Sequence, residues 1–373
     1  MCKNSKPYYR ISSKQFNTNC SAIETVFKKH WGNNLVLGYS VKTNHHSTLI
    51  ELAFQRDWFI EVVSEDEYNY ISSLSIPKHK IICNGPVKGN MLYAALEKGQ
   101  FLNLDNLQEV QSVCDYSHSN PHIPINNIGL RVNFDLESHC PGETTAGESP
   151  IRFGINFENG DLAQAVSMLQ QAGIAISGLH MHTSTKTRSL TVFHKLAETA
   201  CTIAQKYQLN LQYLDIGGGF FGGQIIPGKP MMEEYANTIC SELKKVFHPQ
   251  KTTLILEPGA SVLATCVDYV THVVNTRNIN GYRIVTLDGT LLHINPFLAK
   301  RDCRFTANPT GASGIGTQFL CGCTCMEMDH FGCLQDSKEL LPGDQVIFHN
   351  AGAYTMSFNS NFIIAPPNVI LDN

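Results

Sequence analysis

Several residues of reactive type stand at the ends of short apolar stretches. Lys42 closes Tyr39-Ser40-Val41, and a lysine desolvated where a strand ends loses pKa and becomes an amine suited to a Schiff base. Glu257, in Glu257-Pro258-Gly259, follows an apolar run, and a carboxylate buried there needs a partner such as a pyridinium N–H. His182 ends another run; it could lie flat against an aromatic ring or be a satisfied core histidine. Arg131 could hold a phosphate or another anion, or form a structural ion pair.

Gly217-Gly218-Gly219-Phe220-Phe221-Gly222 formally matches a dinucleotide fingerprint, but Pro227 and Pro230 interrupt the helix that should follow. The acids Glu233 and Glu234 fall inside the next helix pattern rather than at a strand end. The glycines could still turn consecutive backbone N–H groups toward one phosphate. Cys321, Cys323 and Cys325 lack the second pair that zinc needs, and His180 and His182 lack a third ligand, so no metal is expected.

Positioning these residues takes eight strands. Leu35–Ser40, Trp58–Ser64, Lys80–Gly85, Phe101–Asp105, Ile128–Asn133, Ile176–His182, Leu211–Gly217 and Thr253–Gly259 are short and apolar on both parities, as buried parallel strands are. Amphipathic stretches intervene, among them Ser47–Arg56, Asp161–Ala172, Leu190–Tyr207 and Met231–Phe247. Eight such units over about 230 residues predict an α/β fold, a β/α barrel whose chemistry gathers at the C-terminal ends of the strands. An open doubly wound sheet is the rival. After Cys266 the texture turns to strands and turns, so the expected division is 1–19 as a strand joining a β domain, 20–265 as barrel and 266–373 as that β domain.

The chain has 373 residues, of which 43% are hydrophobic and 16% charged, enough for a sizeable core. A net charge of -4 without basic runs argues against nucleic acid or an anionic membrane as partner. No stretch approaches the roughly 18 apolar residues of a membrane span, so a cytoplasmic location is expected. Thirteen scattered Cys do not read as a disulfide framework.

Taken in order, these motifs resemble the fold-type III pyridoxal-phosphate decarboxylases, the ornithine/diaminopimelate/arginine decarboxylase family. The resemblance runs from Pro7–Ile11 to about Phe362 and implies a (β/α)8 TIM-like, alanine-racemase-like barrel with a C-terminal β-sandwich or β-barrel domain. It implies pyridoxal 5'-phosphate held by Lys42, with His182 stacked on the ring and Glu257 paired to its nitrogen. The phosphate would fall to Thr185, Gly217, Gly218, Gly219, Gly259 and Tyr354, with Arg131 as a further contact. Cys325 would return a proton, reaching in from the second subunit of a homodimer. The stretches Glu61-Val62-Val63-Ser64 with Glu67, and Arg152-Phe153-Gly154-Ile155, also match.

Two positions depart from the family pattern. The Arg that usually follows Glu-Pro-Gly is Ala260, and Ser184 replaces a Gly. At the substrate's far end, Met326 and Lys300 stand where diamine-forming members carry acids, with Asp329 nearby. An ammonium tail would be poorly matched there. The expected activity is therefore decarboxylation of an amino acid or conjugate with a neutral or anionic tail, in siderophore or other specialised metabolism. Alternatives are a diaminopimelate or ornithine/lysine decarboxylase, a racemase of the same fold, and a non-catalytic binding homologue.

Overall fold

The computed structural model describes residues 6–145, 151–298 and 303–372. The chain separates into two compact units. One holds Cys20–Lys42 and Ser47–Ser261; the other holds the N-terminal segment through Asn19, Thr43–His46 and the chain from Val262 onward.

The strands in chain order are β1 (Tyr8–Ser12), β2 (Leu35–Ser40), β3 (Phe59–Val62), β4 (Ile81–Cys83), β5 (Phe101–Leu104), β6 (Ile128–Asn133), β7 (Ile155–Asn156), β8 (Ile176–His180), β9 (Tyr213–Asp215) and β10 (Thr253–Leu256). Eight of them close a parallel barrel in the order β2-β3-β4-β5-β6-β8-β9-β10, with β10 pairing back to β2. The two-residue β7 extends beside the end of β6 and was not anticipated from sequence. Every barrel strand read from the sequence is present, most a few residues shorter, because the terminal polar residues leave the ladder to face the mouth.

The barrel is filled by side chains. Tyr213, Ile82 and Ile255 form a buried interior cluster, with Phe101 edge-on to Tyr213 at 4.9 Å. Gly129 and Gly178 make room for Tyr213: a Cβ at either would lie 2.2 Å from its ring or hydroxyl. Outside, the helix Leu190–Lys206 starts at Ser189, whose hydroxyl accepts from the Val192 N–H, and buries a stripe including Val192, Leu196, Ala200 and Ile203. The same helix packs on the helix Met232–Leu243, with Phe193 edge-on to Tyr235 at 4.9 Å.

The second unit is one mixed eight-stranded sheet. It contains β1 with β11 (Val267–Ile279), β12 (Tyr282–Leu287), β13 (Phe305–Ala307), β14 (Gly314–Cys321), β15 (His330–Lys338), β16 (Gln345–Phe348) and β17 (Asn368–Asp372). The N-terminal β1 lies antiparallel to β11 and parallel to β17.

The helix Glu65–Ser73 begins with a reciprocal cap beside the barrel mouth. Ser64 Oγ accepts from the Glu67 N–H at 3.2 Å, and Glu67 Oε2 accepts from the Val63 N–H at 2.8 Å. Burial pushes the Glu67 carboxyl up to about 7, against the pull of the Val63 N–H. Its proton is thus bound more tightly in the folded chain than in the unfolded one, where it leaves near 4.5. This stabilisation is complete below that value and disappears as pH rises through about 7. Glu67→Gln should remove the slope. Relative to wild type, its unfolding free energy in urea should gain about 2 kcal/mol between acid and pH 8. Parallel profiles would contradict the assignment.

Candidate active site

Lys42 sits in the single 3-10 turn Val41–Thr43 that follows β2. Its ammonium bonds both oxygens of Glu61, at 2.6 and 2.5 Å. Glu61 lies on β3 opposite Ser40 and is 1% exposed. Asn84, just past β4, donates to Glu61 Oε1 at 3.2 Å and to Glu257 Oε1 at 2.5 Å. Asn103 donates to Asn84 Oδ1 at 2.9 Å and accepts from Tyr213 at 2.8 Å. A continuous polar chain therefore runs from the barrel's interior cluster to both carboxylates at the mouth.

Behind Glu257 lie Asp215, the last residue of β9, and His180, the last of β8. Ligand atoms of the three lie within 4.8 Å of one another, and all three residues are buried. Burial, reinforced by the charge of Glu257, holds Asp215 well above the usual carboxylate range, so it keeps its proton. Burial also opposes charge on Glu257, but His180, Lys42 and Asp215 hold it below the usual range, and it carries the charge of the pair. Burial lowers His180 in turn, against the opposing charge of Glu257. The ring stands 3.6 Å from Glu257 Oε2, too far for a hydrogen bond, and neither ring nitrogen has a hydrogen-bond partner among the described residues.

His182 stacks nearly parallel to His180, with ring centroids 6.0 Å apart and planes at 9°. Its Nδ1 accepts from the Gly218 N–H at 3.2 Å, which places its own hydrogen on Nε2. Burial, with the charges of Arg131 and Lys42 adding, drives its pKa well below the ordinary value. The ring is a neutral, fixed plate.

The glycine run differs from the expected cradle. Gly217 donates to Asp215 Oδ1 at 2.8 Å and Gly218 to His182, so two of the three N–H groups are already spent. These glycines serve close approach instead. A Cβ on Gly217, at φ +70°, would meet the His182 ring at 2.5 Å; one on Gly218 would lie 2.2 Å from the Glu257 carbonyl. The N–H groups of Gly219 and Phe220 bond no acceptor among the described residues. The Thr185 hydroxyl accepts from the Arg188 N–H at 3.2 Å and keeps its own hydrogen to donate.

Arg131 is less free than expected. Its guanidinium pairs with Asp105 at 3.2 Å, donates to the His182 carbonyl at 3.3 Å and lies over the Phe153 ring, leaving only Nε unpartnered. It therefore orders the His182 turn. A cavity of about 150 Å3 opens beside it, lined by residues including Phe134, Arg152, Met181 and Ser184. Among the described residues Lys88 is a rival, buried and with its pKa lowered by that burial. Its ammonium is enclosed by Glu109 at 2.6 Å and the Gly85 carbonyl at 2.7 Å, with no exposed side-chain surface.

In the sheet unit, Cys325 is exposed and Met326 half-buried on the turn between β14 and β15. Asp329 is not a free substrate contact as expected. Both its oxygens are consumed by Leu291 N–H at 2.7 Å, Thr290 at 3.1 Å and Thr324, so it staples this turn. Tyr354 is 41% exposed at φ +55°, and its N–H donates to the Thr43 carbonyl at 2.9 Å. Lys300 lies outside the described residues. Glu61, Asn84, Asp105, His180 and Asp215 escaped the sequence assignment of the site. For four of them a signal was available, since Asn84, Asp105, His180 and Asp215 each close or just follow an apolar strand, whereas Glu61 lies inside β3.

Residues 14–264 match the family model for the pyridoxal-dependent decarboxylase, pyridoxal binding domain. The diaminopimelate decarboxylase of Methanocaldococcus jannaschii is 22% identical over 95% of this chain and 83% of its own. Antizyme inhibitor 2 of Xenopus laevis is 22% identical over 87% of this chain and 72% of its own. The crystal structure of Helicobacter pylori diaminopimelate decarboxylase complexed with L-lysine superposes at a TM-score of 0.81 with 22% identity, covering 100% of this chain and 92% of that one. The chain belongs to the pyridoxal-dependent decarboxylase family and is a pyridoxal-phosphate-dependent carboxy-lyase.

Proposed function

We propose that this chain decarboxylates a diaminopimelate-like amino acid, one whose far end carries a carboxylate beside its ammonium. The observation that carries the assignment of the site is the shared network of Lys42, Glu61, Asn84 and Glu257. It ties the Lys42 amine at the rim to the buried Glu257 carboxylate. The residues fit the cofactor: Lys42 to bear it, the flat face of His182 for its ring, and Glu257 backed by His180 for its nitrogen. Thr185 and the N–H groups of Gly219 and Phe220 remain for its phosphate.

When bound, pyridoxal phosphate supplies the sink for the electron pair left as CO2 departs. Glu61, bonded to Lys42 Nζ, takes the proton that the amine must lose before it can act as a nucleophile. Glu257 holds a proton on the facing ring nitrogen, and protonated Asp215 spares it a second negative neighbour. His182 and Arg131 keep the ring plane fixed. Cys325 Sγ, delivered by a second copy of the chain, returns the proton to the carbon that lost CO2.

The relatives favour diaminopimelate, an alternative in the sequence analysis, over the specialised-metabolite conjugates expected first. Conjugates with a carboxylate tail stand second, supported by Met326, an apolar side chain next to Cys325. A non-catalytic role is disfavoured by the intact set Lys42, His182, Glu257, Cys325 and Tyr354.

Purified protein should absorb in the visible from lysine-bound cofactor, and Lys42→Ala should lose both that band and CO2 release; an unchanged band would sink the assignment. Across meso-diaminopimelate, ornithine, lysine, arginine and carboxylated conjugates, CO2 release should give kcat/KM at least about tenfold higher for the carboxylate-bearing tails. Equal or better turnover of ornithine or lysine would overturn the substrate class.

A further inference from the structure

We propose that Arg188 is the cation that anchors the cofactor's phosphate. The inference rests on the cofactor assignment above and concerns only how the phosphate charge is met. Two of the glycine N–H groups expected to cradle it are committed to Asp215 and His182. The turn after Glu257 offers no charge either: Gly259 N would lie 3.8 Å from a Cβ on Gly218, and the next residue is Ala260. A dianion left to the remaining N–H groups and one hydroxyl would lack a counter-charge.

Arg188 is held beside these groups by three separate ties. Its N–H donates to Thr185 Oγ1 at 3.2 Å, the hydroxyl assigned to the phosphate. Its carbonyl accepts from the Tyr235 hydroxyl at 2.6 Å. Its guanidinium stacks on the Phe221 ring, 5.1 Å from the centroid. Phe221 follows Gly219 and Phe220, and Phe220 is locked between Phe193 at 4.8 Å and Tyr235 at 5.2 Å. One tyrosine therefore fastens the glycine loop to the backbone of Arg188.

Two further features fit a charge kept for a ligand. Arg188 adopts φ +53°, a conformation that costs a non-glycine residue and persists only where neighbours impose it. No carboxylate among the described residues pairs with it. Lys229 also lies over Phe221, at 5.5 Å, but it is exposed and has no such backbone ties. A planar guanidinium fixed by stacking suits bidentate contact with phosphate.

The test is a titration of cofactor-free protein with pyridoxal phosphate and, in parallel, with pyridoxal, which lacks the phosphate. Visible absorbance of the lysine-bound forms gives both affinities. For Arg188→Gln, the preference for the phosphorylated form should fall about tenfold or more, with pyridoxal affinity within about twofold of wild type. Arg188→Lys should fall between, and Lys229→Ala should retain the full preference. An unchanged preference in Arg188→Gln, or a loss seen in Lys229→Ala instead, would overturn the inference. Because the readout is a ratio, weakened folding that lowers both affinities equally also counts against it. Wild-type protein that takes up neither compound would refute the cofactor assignment itself, a distinct result.

Discussion

Keeping the Glu257 carboxylate ionised away from water is the constraint around which the mouth of the barrel is arranged. At 3% exposure it would be strongly disfavoured alone, on the order of several kcal/mol. Three neighbours offset this without a paired cation in direct contact. The Asn84 amide bonds it at 2.5 Å, Asp215 keeps its proton rather than adding a second charge, and Lys42 contributes its field from across Glu61. The two carboxyls are neighbours in one environment but differ in charge, the separation a site needs to hold a proton at one defined place.

The glycines follow from the same constraint. Bringing the β9 turn close enough for Asp215 to reach Glu257 leaves no room for a side chain at Gly218. Turning the chain toward His182 does the same at Gly217. Their N–H groups then finish the electrostatics, one on Asp215 and one fixing the tautomer of His182. The barrel's interior takes part too, because Tyr213, seated in space opened by Gly129 and Gly178, anchors the Asn103–Asn84 chain that ends on both carboxylates. Packing and site chemistry thus share residues, and damage to the interior cluster should reach the site through hydrogen bonds.

The barrel was legible because parallel strands buried on both faces leave continuous apolar runs, and the eight barrel strands carry them. Strands of the second unit were harder to see. β14 is diluted by Gly314 and Gly316, β15 ends in the polar run Gln335–Lys338, and β17 is largely exposed. Residues with distinctive chemistry, Lys42, His182 and Glu257, stood out from sequence and meet at the mouth. Asn84, Asp215 and His180 did not, since a lone polar residue after an apolar run gains meaning only when its neighbours across the barrel are known. Backbone commitments are similarly invisible: nothing in three consecutive glycines says that two of their N–H groups bond side chains. Asp329 shows the reverse error, a motif residue whose lone pairs go to its own turn.

The central claim is that Lys42, His182 and Glu257 surround a single cofactor ring. A crystal structure of the protein saturated with pyridoxal phosphate tests it most directly. The account predicts density continuous with Lys42 Nζ, a ring lying flat against His182 and its nitrogen within hydrogen-bond distance of Glu257. A cofactor joined to another lysine such as Lys88, or a ring nitrogen turned away from Glu257, would contradict it.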